Sequence, residues 1–214
     1  MVAWKVLHGA LMVGAKRLYI TPSMAPDQAC CAACTAAGRP GQVETLSHAF
    51  LSCPVVAPAL DWLLAAYATL VGQRVPRDAL VILGDADWVW QPQAPALWQH
   101  FRVAFLGCVW AARSSGRCTP RGLVESVIVA LQRGVQRDWW RVVTNVKAAA
   151  VGVVPTVWFR GRSPQLAMES FQRRWPNQGQ WYDAQPGRRQ VTVRLTPVWP
   201  VPLQFDPAEI PLGD

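Results

Sequence analysis

Apolar positions along this chain recur at three- and four-residue spacing over several stretches that proline and glycine separate. In residues 2–20, Trp4, Leu7 and Leu11, followed by Leu18 and Ile20, form an apolar side that predicts a single helix. Gly9 and Gly14 weaken it, and Thr21-Pro22 ends it. Residues 22–47, with their Pro, Gly, Asp, Ser and Thr, predict a loop of the kind that holds a metal. Helical spacing resumes from Pro54 to Val71 through Leu60, Leu63, Leu64, Tyr67 and Val71. The first unit thus reads as helix, metal loop, helix.

From Gly72 to Pro95, Pro76, Gly84, Pro92 and Pro95 predict a connector, in which only Leu80 to Leu83 looks like a strand or one helical turn. Leu97 to Arg113 predicts a helix, with Leu97, Phe101, Phe105, Cys108 and Ala112 on one side. Thr119-Pro120 suits a cap and first helical position for a helix running to about Ala150. Its apolar face is Leu123, Val124, Val127, Ile128, Leu131, Val135, Trp139, Val142, Val143 and Val146. Beyond Val151 the pattern degrades. Thr156 to Arg160 and Val191 to Leu195 alternate as two short strands would, and Leu166 to Trp175 suits a short helix. Five prolines between Pro197 and Pro211 exclude a helix or central strand there. The expected fold is mainly α. A small zinc-stapled helical module (1–72) leads through a connector (73–96) to a basic helical segment (97–150) and an irregular Pro/Trp-rich C-terminal region (151–214) with two short strands.

Charge changes this picture by its placement. The chain carries a formal +8. Residues 1–96 balance, whereas residues 97–150 hold eight basic residues against Glu125 and Asp138. An excess of that kind favours polyanions. No stretch approaches the roughly 18–20 apolar residues that span a bilayer, and Lys5 and His8 break the apolar run at the N-terminus. An intracellular protein without a membrane partner is expected.

Of the six cysteines, four fall within Cys30–Cys53, a crowding unlike the even spread of a disulfide framework. The spacing Cys31-x2-Cys34-x13-His48-x4-Cys53 suits one tetrahedral ion. Three thiolates and an imidazole leave no open position for water, which points to a structural zinc ion. Cys30 could replace Cys31 with three intervening residues, but two is the commoner short spacing. The bland alternative is ordinary buried cysteines beside a capping histidine.

Trp4-Lys-Val-Leu-His-Gly-Ala-Leu11, Val13-Gly-Ala-Lys-Arg17, Cys31-Ala-Ala-Cys34 and Glu44-Thr-Leu-Ser-His48-Ala-Phe-Leu-Ser-Cys53-Pro54 stand in this order. Together they resemble the zinc-binding region C-terminal to the reverse transcriptase of LINE-type (non-LTR) retrotransposons. Leu97-Trp98 with Val109-Trp-Ala-Ala-Arg113 is similar to a helix that often follows in that family. The resemblance covers about residues 3–113. It implies a zinc module that helps an upstream reverse transcriptase domain hold RNA or DNA, and with that a nuclear location. It does not imply polymerisation by this chain: Gly84-Asp85-Ala86-Asp87 lacks the aromatic residue and strands of the polymerase hairpin. Nor does it imply the nuclease of some relatives, because Pro26-Asp27 lies upstream of the zinc ligands.

Arg133, Arg137 and Arg141, four residues apart on the expected 119–150 helix, make a stripe able to track phosphates, and Lys16 and Arg17 are further candidates. The same stripe equally fits a solvated face opposite the apolar one. Among the tryptophans, Trp139 falls on an apolar side, whereas Trp158, Trp175, Trp181 and Trp199 stand near arginines and are the better candidates for base stacking, with packing the safer account even of these. His8 and His100 have no partner at metal spacing. No Ser/His/Asp grouping, phosphate-cradling glycine loop or deaminase signature occurs, so no catalytic residue is assigned. The competing reading is a protein-interaction scaffold stapled by zinc.

Overall fold

The computed structural model describes residues 2–7, 10–84, 90–116, 118–150, 164–185 and 190–195. The fold is mainly α. Its helices are α1 (Val2–Leu7), α2 (Gly14–Ile20), α3 (Ala32–Ala36), α4 (Ala57–Val71), α5 (Ala79–Leu83), α6 (Pro95–Ser114), α7 (Pro120–Ala150) and α8 (Pro164–Arg174). A 3-10 turn (Pro26–Ala29) precedes α3 and a π turn (His48–Ser52) precedes α4. Strands β1 (Tyr182–Ala184) and β2 (Val191–Val193) form an antiparallel pair with Tyr182 opposite Val193.

The helix expected over 2–20 is two helices. The cause is tertiary: the chain passes so close to the 3-10 turn that a β-carbon at Gly14 would overlap the carbonyl oxygen of Ala29. Leu11 and Val13, between the two helices, turn into the core. The expected connector also holds more structure than its prolines suggest. Asp78 caps α5 by accepting from the Leu80 amide at 2.6 Å. The far end of α5 is closed by Arg102, a buried arginine of α6 whose Nε donates to the Ile82 carbonyl at 2.8 Å and whose terminal nitrogen donates to that of Leu83 at 3.0 Å. These are carbonyls that a helix end leaves without internal partners.

The longest helix matches its pattern most closely. Thr119 Oγ1 accepts from the Gly122 amide at 3.2 Å, and Leu123, Val124, Val127, Leu131, Val135, Trp139, Val142 and Val143 are buried. Val146 departs from expectation and is exposed. The strand expected over Thr156–Arg160 and the prolines of 197–211 lie outside the described residues. The expected Val191–Leu195 strand forms over Val191–Val193 and pairs with β1.

Packing in the C-terminal part depends on Trp175. Its ring stacks on His100 of α6 with centroids 4.2 Å apart, and it sits over Gly134 of α7, where a side chain would crowd it. Trp175 and Trp181 are both fully buried, so packing, the safer account of them, holds and neither ring is available for base stacking. One hydrophobic core runs from Val6 through α4, α6 and α7 to Val191. No helix among the described residues is long and apolar enough to cross a membrane.

Candidate metal centre

Two local turns set the spacing of the four ligands. In the first, Cys31 stands at the cap of α3 and its sulfur accepts from the Cys34 amide at 3.4 Å. The flanking chain is pinned as a short antiparallel bridge between Cys30 and Val43, with Glu44 donating its amide to the Ala29 carbonyl at 2.9 Å. Gly38 and Gly41, with φ of 74° and 92°, let the chain return between these ends. In the second, Thr45 Oγ1 accepts from the His48 amide at 2.9 Å, which starts the π turn. The Cys53 amide then donates to the His48 carbonyl at 2.8 Å, five residues back. A bond of that reach brings residue 53 over residue 48, and it explains a His-x4-Cys spacing.

The result is a buried cluster of Cys31, Cys34, His48 and Cys53 whose ligand atoms all lie within 4.8 Å of one another. Cys34 Sγ is 3.6 Å from Cys53 Sγ and 3.4 Å from His48 Nε2, and Cys31 Sγ is 3.8 Å from Cys53 Sγ. A tetrahedral ion with metal–sulfur bonds of about 2.3 Å holds its sulfurs about 3.8 Å apart. The donors therefore fit a single four-coordinate ion, and these four residues can hold one metal. Cys30 is not among them: its sulfur turns to the Pro26 carbonyl at 3.7 Å. Cys108 and Cys118 are half-buried thiols outside the cluster, both pushed up in pKa by burial, and all six cysteines are unpaired.

Arg113, at the end of α6, links this cluster to the helical core. Its guanidinium donates to Cys31 Sγ at 3.2 Å and reaches Cys53 Sγ at 4.0 Å. It also forms a buried ion pair with Glu44, whose other oxygen accepts from the Gly14 amide at 3.2 Å. With a divalent cation bound, three thiolates and a neutral imidazole would carry a net single negative charge, which Arg113, shared with Glu44, would offset in part; Glu44 in turn orients Arg113. The hydrogen bond from Cys53 holds Cys31 at about 3 against the opposing effect of burial, with Arg113 assisting. Cys53 is pushed up, first by the bond it gives to Cys31 and then by burial, and Cys34 is pushed up chiefly by burial. A bound cation would hold all three sulfurs in the thiolate form.

The other sequence candidates lie elsewhere. Arg133, Arg137 and Arg141 are exposed on α7, and two of them are partly compensated. Buried Asp138 accepts from Arg141 at 3.3 Å and lies 3.8 Å from Arg137. It also accepts from Arg174 and from the Trp175 indole, at 2.9 Å and 3.0 Å. Burial raises the Asp138 pKa, but the bonds from Arg174 and Trp175 outweigh this and leave it below the usual carboxylate value. Lys16 and Arg17 are on α2, whose first residues abut the metal loop. His100 is a stacking partner at the core edge, its pKa lowered first by burial, and His8 lies outside the described residues.

Sequence reasoning missed the bridging role of Arg113 and the exposure of Trp140. The first had no local signal. The second was readable, since Trp140 is one helical step of about 100° from the buried Trp139. No family model, curated protein or solved structure matches this chain.

Proposed function

We propose that this chain is a nucleic-acid-binding module folded around one structural zinc ion. The observation that carries the reading is the convergence of Cys31, Cys34, His48 and Cys53 into a closed, buried shell of four soft donors. Such a shell leaves no position for substrate or water, so zinc would act as a staple and supply no chemistry. The likeness to the zinc region of LINE-type retrotransposons supports the nucleic-acid half of the reading. The residues that carry this likeness have structural work: Glu44 holds Arg113 and Thr45 starts the turn that presents His48. The basic excess of residues 97–150 supports it as well. On this reading the module works beside a reverse transcriptase domain, in the nucleus, on RNA or DNA, and polymerises nothing itself.

The test is metal analysis of the purified protein together with titration against RNA and single-stranded DNA at two salt concentrations. One zinc per chain is expected, lost in Cys34→Ala and His48→Ala, with binding that weakens steeply as salt rises. Protein that is folded yet free of stoichiometric metal would overturn the zinc half. Binding insensitive to salt, or none, would overturn the nucleic-acid half and leave a scaffold for an acidic protein partner.

A further inference from the structure

The exposed side of α7 carries a large aromatic ring among cations. Trp140 is 55% exposed, although it lies in the middle of the most regular helix of the fold and beside the fully buried Trp139. Arg133, Trp140 and Lys147 are seven residues apart and so stand in one line along the helix, about 10 Å between successive positions. Arg137 lies one turn before Trp140, and Arg141 follows it. The side chains of Arg137 and Arg141 are 63% and 50% exposed, and Arg133 and Lys147 are exposed as well. Among the described residues, the carboxylate that opposes these four cations is the buried one of Asp138, and it shares its charge with Arg174 as well. Glu125, the other acid of α7, is engaged by Arg121 at 2.9 Å.

We infer that this face of α7 binds a single strand of nucleic acid, with one unpaired base stacked on the Trp140 indole and the backbone phosphates held by Arg133, Arg137 and Lys147. The inference rests on the nucleic-acid reading above and makes it specific. The cations account for attraction to phosphate, but they would serve a duplex equally. The exposed indole distinguishes the two: its flat face can take a base only when that base is free of a pairing partner and of its neighbours. Arg141, turned toward Asp138, supports the edge of the strip and does not lead it.

Fluorescence anisotropy with labelled oligouridine and with a blunt-ended RNA duplex tests this. The expected result is a preference for oligouridine. Trp140→Ala should lose about tenfold on the single strand, the loss typical of one stacked base, while Trp140→Phe keeps most of the affinity. Arg133→Gln and Arg137→Gln should each reduce the log–log salt slope by about 0.7. Arg74→Gln, the same charge change away from α7, should leave binding unaltered. If Trp140→Ala binds oligouridine as tightly as the parent, or if the duplex loses as much as the single strand, the inference fails while the nucleic-acid reading stands. If neither probe binds, both fail.

Discussion

The metal loop and the long C-terminal helices solve the same problem by different means. Between Val13 and Val56 the chain has one seven-residue helix, two single turns and one five-residue helix, and what it buries is largely the ligands themselves with Ala49, Phe50 and Leu51. Across α6, α7 and α8 the chain buries Phe101, Phe105, Leu131, Trp139, Phe171 and Trp175 in extended helices. The contrast shows where cohesion comes from. A region with little apolar surface per residue cannot offset the conformational entropy of ordering its backbone by burial alone, and an ion held by the four ligands would fill that gap. The helical region has no such need.

Removing the ion would break the comparison most sharply. Structural zinc in small modules contributes on the order of 10 kcal/mol to folding. Chelation is therefore expected to abolish hydrogen-exchange protection around Cys31–Cys53, while amides in the middle of α7 remain protected. Equal loss of protection in both regions would show that the ion holds the whole core.

A smaller effect is expected from the polar hub of the helical side. Asp138→Ala leaves the partly solvated Arg174 and the buried Trp175 indole without their shared acceptor, and a buried donor left unsatisfied in this way costs about 2 kcal/mol. Because the folded-state pKa of Asp138 lies below its ordinary 3.8, its contribution is complete above that value. It is lost as the pH falls through the folded-state pKa. Thermal unfolding of parent and variant should converge in acid, with the metal content of the folded protein unaltered at neutral pH.

The smallest effect sharpens the link between the two regions. Arg113→Met removes the positive charge facing Cys31 and Cys53, and loss of such an outer partner weakens metal binding by about tenfold or more. Competition with a chromogenic chelator measures this. Unchanged affinity would mean that Arg113 serves only to hold Glu44.

How much of this was legible follows the same division. The ligand set could be read because each pair of ligands is produced by a local turn, and local turns leave their spacing in the sequence. Thr119 and the periodic face of α7 could be read because a single helix repeats its pattern. The split of the first helix could not, since it depends on Ala29 meeting Gly14. The seat of Trp175 and Trp181 was hidden for a related reason, although packing was the safer account of both. Nearby arginines suggested availability, but Gly134 and His100, distant in sequence, provide the seat. Arg113 and Glu44 are likewise joined only by the fold.

The turn of Phe50 carries a further consequence. Cys53 is at once a member of the four-residue cluster able to hold a metal and the residue whose carbonyl receives the first amide of α4, from Ala57 at 2.8 Å. The number of residues between His48 and Cys53 therefore sets two things together, the closure of the coordination shell and the rotational setting of a fifteen-residue helix. Deleting Ala49 would leave every ligand present in the sequence, yet it would swing Leu60, Leu63 and Tyr67 by about 100° away from their neighbours. At this turn length matters more than composition: side chains can vary there, but the count cannot.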